Sequence, residues 1–524
     1  MQYNNAPAMC AENFIVNGRQ LASCYNARVL NCCHLIKMQF VVKLFPEITI
    51  KSPPVRKRFI RQLRDNLKIL TKSINPEIRV TSDWEKLDIY APDTPAELDA
   101  EIIDLLNRTP GIANFSPVIE FPLTDFEDIL IQLKNLWRDN IAEKTFCVRV
   151  KRTGDHSFTS VDAEKYLGGG LLHQTAAAGV KLKNPDLTIR LEIRRDRVFL
   201  IKEKIEGLGG FPLGSQDPVL SLISGGFDST VSSFLTTKRG ICTHFCFFNL
   251  GGQAHEIAVK EIAFYLWNRF GASHSVKFVT IPFEDVVAEI LEKIDNPLMG
   301  VVLKRMMLRA ASAVAHEMNI PALVTGESVA QVSSQTLPNL CVIDSVTDTL
   351  VLRPLITADK TDIIRTAREI GTEEFAANVP EYCGVISKNP TTRARIEHVE
   401  EAEANFNFDV LEKAVTRRVT QSILKVMDVN QPIHNIRIIS EPEPGAVIID
   451  IRHPTEVEIR PLKVGNHSLL TLPFFNLHRE IGALDKSQHY LLYCEKGVMS
   501  RLQADSMLNN GFTQVNLFKP SDET

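Results

Sequence analysis

The sequence predicts a multidomain chain of α/β and α+β units built around a doubly wound parallel sheet. Three observations predict it. Strand-like apolar runs at 219–223, 241–248, 276–281 and 321–325 alternate with helical patterns at 229–238, 254–270, 284–295 and 301–318. Such alternation places parallel strands between covering helices, with ligands at the carboxyl ends of the strands. The segments on either side mix shorter strands and helices, and 524 residues exceed what one core can serve, which suggests roughly three or four domains.

Residues 1–37 do not resemble the rest of the chain. They hold Cys10, Cys24, Cys32 and Cys33, little periodicity and no apolar stretch fit for a signal peptide. They read as an atypical N-terminal extension, as from a start codon assigned too far upstream. A strand begins at Met38, and residues 38–99 form the first domain. Pro53-Pro54 opens a helix in which Val55, Phe59, Leu63, Leu67 and Leu70 share one face, while Arg56, Lys57, Arg61, Arg64 and Lys68 line the other against Asp65. Such a stripe is a solvated helix face unless its neighbours supply a ligand. Short strands at Ile78–Val80 and Leu87–Tyr90 and a helix near Leu98–Leu106 complete a small α+β unit ending near Phe121.

Residues 100–204 make the second domain. A helix over Phe126–Leu136 leads to the strand Thr145–Lys151. Then come a polar stretch, Tyr166-Leu167 with three glycines, a helix at 171–178, and strands at Thr188–Ile193 and Arg197–Ile201. Lys151, Arg152, Lys181, Lys183, Arg194, Arg195 and Arg197 cluster here; such side chains contact phosphates without reading sequence.

Gly207-Leu-Gly-Gly210 links to the central domain, 205–400. Its first strand, Val219–Ile223, runs into Ser224-Gly225-Gly226-Phe227-Asp228-Ser229. Ser229 or Asp228 can cap the next helix. Two glycines let backbone N–H groups approach a phosphate at a helix start. No Gly-Lys-Ser/Thr comes after them, so the turn is not a Walker A loop. Phe247-Phe248, Lys304-Arg305, Thr325-Gly326-Glu327 and Gln335 fall where such a sheet places its site. A helical connector, 401–441, leads to a C-terminal domain at 442–524. There Cys494 stands at a strand end before a helix start near Ser500, a position that favours a thiolate or persulfide. Lys496 and Arg501 add positive potential, and Cys383 lies in a polar loop after the central domain's last helix.

Composition excludes little but excludes it firmly. The chain is 44% hydrophobic and 23% charged, with net charge −4, and no apolar run reaches the roughly 20 residues of a membrane span. Ten cysteines without a Cys-x-x-Cys pair fit neither a zinc ribbon nor a secreted disulfide framework. Cys242 and Cys246, about 13 Å apart on one strand, cannot share a metal and read as core thiols.

The Ser-Gly-Gly-Phe-Asp-Ser turn resembles the pyrophosphate loop of adenylating enzymes, which cleave ATP between the α and β phosphates. Cys147-Val-Arg-Val-Lys-Arg-Thr-Gly154 with the Asn184-Pro185-Asp186 turn resembles the RNA-binding THUMP domain. Cys494 to Arg501, with Asp450-Ile-Arg452, resembles the active-site loop of rhodanese sulfurtransferases. Together with Phe45–Lys51 and Glu381–Ser387, this order resembles the tRNA 4-thiouridine synthases, or thiamine-biosynthesis sulfurtransferases, from Met38 onward. The resemblance implies a ferredoxin-like first domain, a THUMP domain, an adenylation domain and a rhodanese domain.

It also implies residue roles. Leu222, Ile223, Ser224, Gly225, Gly226, Ser229, Phe247, Phe248, Lys304, Gly326 and Gln335 contact the nucleotide, and Asp228 and Lys360 act at the phosphates. Arg56, Lys57, Arg61, Arg64, Lys151, Arg152, Lys181, Lys183 and Arg194 face RNA. ATP and Mg²⁺ activate O4 of a tRNA uridine, Cys494 carries the sulfur as a persulfide, and a Cys383–Cys494 disulfide closes the turnover. Implied partners are tRNA, a cysteine desulfurase, the sulfur-carrier protein of thiamine synthesis and a thiol reductant, in the cytoplasm and without a membrane. Two other readings stay open: an adenylating sulfurtransferase acting mainly on a carrier protein or small molecule, and a non-catalytic RNA-binding protein.

Overall fold

The computed structural model describes residues 14–16, 19–21, 37–91, 96–250, 253–378, 389–426, 436–452, 454–473, 477, 480–494, 500, 503–504, 507–508 and 510–520. Cys383, Lys496 and Arg501 lie outside them. The chain forms two compact units, one of residues 118–202 with 1–39, the other of 40–117 with 203–524. In the extension, Phe14–Val16 pairs with Arg19–Leu21.

In the larger unit the first domain is ferredoxin-like. Its strands Arg79–Ser82, Lys86–Tyr90, Lys37–Leu44 and the start of Ile112–Pro122 lie side by side in that order. Two helices, Pro53–Lys72 and Ala96–Asn107, supply the crossovers. Phe59, Leu63 and Leu67 are buried as their spacing demands, which leaves Lys57, Arg58, Arg61 and Lys68 exposed on the other side.

The smaller unit is the THUMP fold. Strand 118–122 pairs with Arg197–Ile201, which pairs with Leu187–Arg194, which lies parallel to Thr145–Thr153. The helices Phe126–Ile141 and Ser160–Gln174 cover one face with Ile129, Leu133, Leu167 and Leu171. Gly168 to Gly170 do not precede a helix, as their composition suggests, but lie inside one. A Thr159–Asp162 capping box starts that helix. A Cβ at Gly170 would sit 2.3 Å from Leu130 Cδ2, so the glycine is what permits the helices to approach.

The central domain carries a six-stranded sheet in the order Leu350–Leu352, Ala322–Val324, Gln216–Leu222, Ile241–Asn249, Lys277–Pro282, Val419–Ser422. The first five strands are parallel and the last is antiparallel. The connector is therefore not wholly helical. After Ile396–Glu403 and Phe408–Thr416 it returns an edge strand to the sheet. That strand, Val-Thr-Gln-Ser, is exposed or half-buried, so it lacks the apolar run that betrays a buried one.

The helix Met299–Glu317 holds Arg305, a fully buried arginine paired bidentately with Glu403 at 2.6 and 2.9 Å. Arg305 also donates to Val342 O and Ser345 Oγ, so the pair anchors the connector to the sheet's helical layer. Glu403→Ala leaves a buried guanidinium uncompensated and is expected to cost about 3–5 kcal/mol. Urea unfolding followed by tryptophan fluorescence measures it, and a loss under about 1 kcal/mol contradicts this role for the pair.

Cys246 is buried in the sheet, where burial pushes its thiol up to about 12, and burial pushes half-buried Cys242 up to about 11. Both behave as inert core thiols. The C-terminal domain has a parallel five-stranded sheet ordered Ile438–Ile439, Gln514–Phe518, His489–Tyr493, Val447–Asp450, Ser468–Thr471.

Candidate functional site

The first strand of the central sheet ends at Leu222, and the chain turns at Gly225, whose φ of +86° lies in the left-handed region. The next helix starts at Phe227 with Gly226 as its N-cap and no side-chain cap. Neither Ser229 nor Asp228 caps it, because both side chains are engaged elsewhere. Ser229 Oγ accepts from Ser224 N at 3.1 Å, donates to Gly226 O at 3.2 Å and lies 3.1 Å from Ser224 Oγ. It thus staples the loop shut from inside. Asp228 accepts from Lys360 Nζ at 2.9 and 3.1 Å and from Gln331 Nε2 at 2.8 Å.

Lys360 opens the helix Lys360–Glu369, and its ammonium lies 5.5 Å from the Phe227 ring centre. Three separate segments, 227–229, 331 and 360, therefore converge on one carboxylate beside a glycine-rich turn. Gly326 is required by contact: a Cβ there would lie 2.5 Å from Asp228 C and 2.6 Å from Ser229 N. The exit loop of the strand Ala322–Val324 thereby packs directly on the helix start.

Lys304 lies in the second turn of its helix and not at the start. It pairs with Glu327 at 2.8 Å, and Arg353 bridges Glu327 at 2.7 Å and Asp344. Burial pushes the Glu327 carboxyl up, but Lys304 and Arg353 outweigh it and hold it below its usual value. The sequence placed Lys304 and Glu327 at the site without pairing them, and it missed Arg353. Also missed was His255, whose Nε2 lies 3.0 Å from Ser224 O. Burial lowers its pKa against the opposing pull of that bond, so the neutral ring donates from Nε2 to the loop. Phe247 and Phe248 bury their rings in the two opposite cores, against His255 and Phe283, which leaves only their main chain for a ligand. Gln335 is buried, and its Oε1 has no hydrogen-bond partner among the described residues.

The basic residues divide. Arg56 donates to Thr49 O and Trp84 O and stacks on the Trp84 ring at 5.0 Å, so it is committed to holding its domain. Arg64 pairs with Asp65, whereas Lys57 and Arg61 are exposed. In the smaller unit Arg194 pairs with Glu192 and stacks on Phe199, and Arg152 packs on His156 and Phe158. Lys151, Lys181 and Lys183 are exposed.

In the C-terminal domain Cys494 comes directly after the strand His489–Tyr493. Its sulfur accepts from Ser500 N at 3.3 Å and lies 3.3 Å from Ser500 Oγ. Asp450 and Arg452, both buried, form a bidentate pair, and Arg452 stacks on Tyr493 at 4.9 Å. That pair fixes the strand end from which Cys494 emerges.

This domain shares a hydrophobic core with the central one, in which Phe234, Ile262 and Leu266 join Ile449, Leu477 and Met507. Across that seam Gln503 Nε2 donates to the buried carboxyl of Glu261, which burial pushes up to about 8. Undocking exposes Glu261 and lets it ionise in its usual range, so the docked state binds one more proton between roughly pH 4.5 and pH 8. Docking is therefore expected to weaken as pH rises through that window and to level off above it. Fluorescence transfer between labels on the two domains, read from pH 6 to 9, measures this. Glu261→Gln should flatten the profile, and a flat wild-type profile contradicts the coupling.

A glycine-rich turn at the carboxyl end of a parallel sheet, an Asp–Lys pair beside it and a separate THUMP fold mark a pyrophosphate-loop protein that works on RNA. The comparisons agree. The thiamine biosynthesis protein family, ThiI, matches residues 214–408, the THUMP domain matches 124–202 and the ThiI ferredoxin-like domain matches 39–116. A tRNA sulfurtransferase of Saccharophagus degradans is 54% identical over 483 residues, 92% of this chain and all of that one. One from Pseudomonas aeruginosa is 51% identical over 485 residues, with the same coverage. A crystal structure of a 4-thiouridine synthetase–RNA complex with bound ATP aligns with TM-score 0.65 at 29% identity, over 74% of this chain and all of that one. The chain belongs to the tRNA sulfurtransferase family. Among the described residues no helix is long and apolar enough to cross a membrane.

Proposed function

We propose that the protein is an ATP-dependent tRNA sulfurtransferase that replaces O4 of a uridine with sulfur, giving 4-thiouridine. The observation that carries this is the convergence of Lys360 and Gln331 on Asp228 beside the Ser224–Gly226 turn, in a chain that also holds a THUMP domain. The residues fit ATP: an open left-handed glycine turn offers main-chain N–H groups, and Gln335 keeps an unsatisfied buried acceptor. ATP supplies the activation, because adenylation converts uracil O4 into a leaving group. Mg²⁺ suits Asp228 as a carboxylate ligand shared with phosphates, while Lys360 and the loop amides hold the phosphate charge.

Cys494 carries the sulfur delivered by a cysteine desulfurase. The terminal sulfur of its persulfide attacks C4, and AMP leaves with the O4 oxygen. The Cys383 thiolate then attacks Cys494 Sγ, breaking the bond to the transferred sulfur. That releases the thiouridine and leaves a Cys383–Cys494 disulfide, which a thiol reductant returns to two thiols with two electrons. The C-terminal domain serves as a rhodanese domain in this scheme. It also loads the sulfur-carrier protein of thiamine synthesis, and the reaction belongs to the cytoplasm.

The test mixes unmodified tRNA, ATP, Mg²⁺, cysteine, a cysteine desulfurase and reductant with the protein, then analyses nucleosides by mass. 4-Thiouridine is expected. Cleavage of ATP to AMP and a persulfide on Cys494 without thiouridine would move the acceptor to a carrier protein or small molecule.

A further inference from the structure

A depression of about 340 Å³ opens between residues 295–298 and 391–398 of the central domain. Its rim carries Arg393, Arg395 and His398, all exposed, and none of the three forms an ion pair among the described residues. Asn296 and Thr391 supply polar groups, and Asp295 is the one carboxylate among the lining residues. The helix Ile396–Glu403 begins at this depression with no side-chain cap, so the N–H groups of its first turn add to the positive field. The two walls are tied to each other and to the helix that comes after Gln335. Thr391 N donates to Pro297 O and Asn389 N to Asn296 Oδ1, while Asn339, four residues after Gln335, bonds Thr391 O and Ala394 N.

Its position relative to the site comes from helix geometry. Lys304, which reaches Glu327 beyond the carboxyl end of a sheet strand, lies five residues after Met299, where its helix begins, about 7.5 Å along the axis. The helix ends at Glu317, just before the strand Ala322–Val324, so its start and the depression there form part of the lip on the carboxyl side of the sheet, the side on which the Ser224–Gly226 turn also lies. Asn389, bonded to Asn296 of one wall, is also the first described residue after the segment that contains Cys383.

We propose that this depression binds the phosphate backbone of the RNA substrate next to the reacting uridine, through Arg393, Arg395 and His398. This rests on the proposed function, since it names a second RNA contact for that reaction, apart from the ferredoxin-like and THUMP surfaces. Cations at this lip hold the strand where a base leaving its stack can enter the site.

The experiment measures binding of an unmodified tRNA transcript to the full chain by fluorescence anisotropy between 50 and 300 mM salt, with ATP affinity and thiouridine formation measured in parallel. R393Q/R395Q is expected to weaken tRNA binding at least tenfold at low salt. It should also reduce the slope of log K against log salt by about 1–2, since each lost phosphate contact removes roughly 0.9. ATP affinity should be unchanged and the KM for tRNA raised more than kcat is lowered. R393K/R395K, which keeps the charges, should retain most of the binding. Wild-type thiolation together with an unchanged affinity and slope in R393Q/R395Q overturns the inference alone. A loss of ATP affinity equal to the loss of tRNA affinity also overturns it, by assigning the cations to the nucleotide. A wild type that neither binds nor thiolates tRNA overturns the proposed function and this inference together.

Discussion

Asp228→Ala is expected to abolish AMP formation and thiouridine formation together, lowering both by about 10²–10³-fold or more. The carboxylate holds Lys360 Nζ through two bonds and Gln331 through a third, so its removal frees the lysine and the loop at once. Lys360→Ala should reproduce much of the defect. Because the two act as one ion pair, the double variant should be little worse than the more damaged single variant. AMP release measured with radiolabelled ATP and saturating tRNA checks this. Independent, multiplicative losses would mean that the two residues serve separate steps. Folding should survive, because Asp228 is half-buried and is not the cap of its helix.

Cys494→Ala is expected to separate the two chemistries. It should eliminate thiouridine and leave tRNA-dependent AMP formation at a substantial fraction of wild type, because the residue belongs to a different domain from the pyrophosphate loop. Its sulfur accepts a hydrogen bond from Ser500 N, a contact that stabilises an anionic persulfide, where alanine offers nothing to load. Cys383→Ala should behave differently again, giving one turnover or fewer, with the product held on Cys494 as a mixed disulfide until external thiol releases it. Mass spectrometry of the intact protein after a single-turnover mixture distinguishes these outcomes. Full multiple turnover by Cys383→Ala without added thiol would remove Cys383 from the mechanism.

The sheet of the central domain was legible because its strands are short apolar runs bounded by turn residues, and because Gly225-Gly226 marks a turn that few sequences tolerate by chance. The ferredoxin-like helix was legible from the spacing of Phe59, Leu63 and Leu67, and the first THUMP helix was placed over Phe126–Leu136. Three features were not. The three glycines of the Ser160–Gln174 helix conflict with local propensity, and the packing of Gly170 on Leu130 accounts for one of them. The Val419–Ser422 strand has an exposed, polar sequence and forms because the sheet offers it an edge. The helix cap was misplaced because Ser229 and Asp228 are good capping residues whose side chains the fold uses elsewhere.

At the site, the motif-bearing residues could be named from sequence, whereas their supports could not. Glu327 falls at a strand end by sequence but its partners do not show there, and Arg353 and His255 look like ordinary charged or polar residues until the fold brings them to Glu327 and Ser224. Arg56 shows the converse: its charge belongs to a basic stripe, yet its guanidinium is committed to Trp84 and two carbonyls. Long-range pairing of this kind leaves no local pattern in the chain.

The most direct test of the account uses tRNA labelled with ¹⁸O at O4 of the target uridine. In the complete reaction with unlabelled ATP and water, the AMP released should carry one ¹⁸O atom for each 4-thiouridine formed, because adenylation transfers that oxygen to the phosphorus. Unlabelled AMP formed alongside 4-thiouridine would contradict activation of the uridine by adenylation, and with it the role given to the Asp228–Lys360 site.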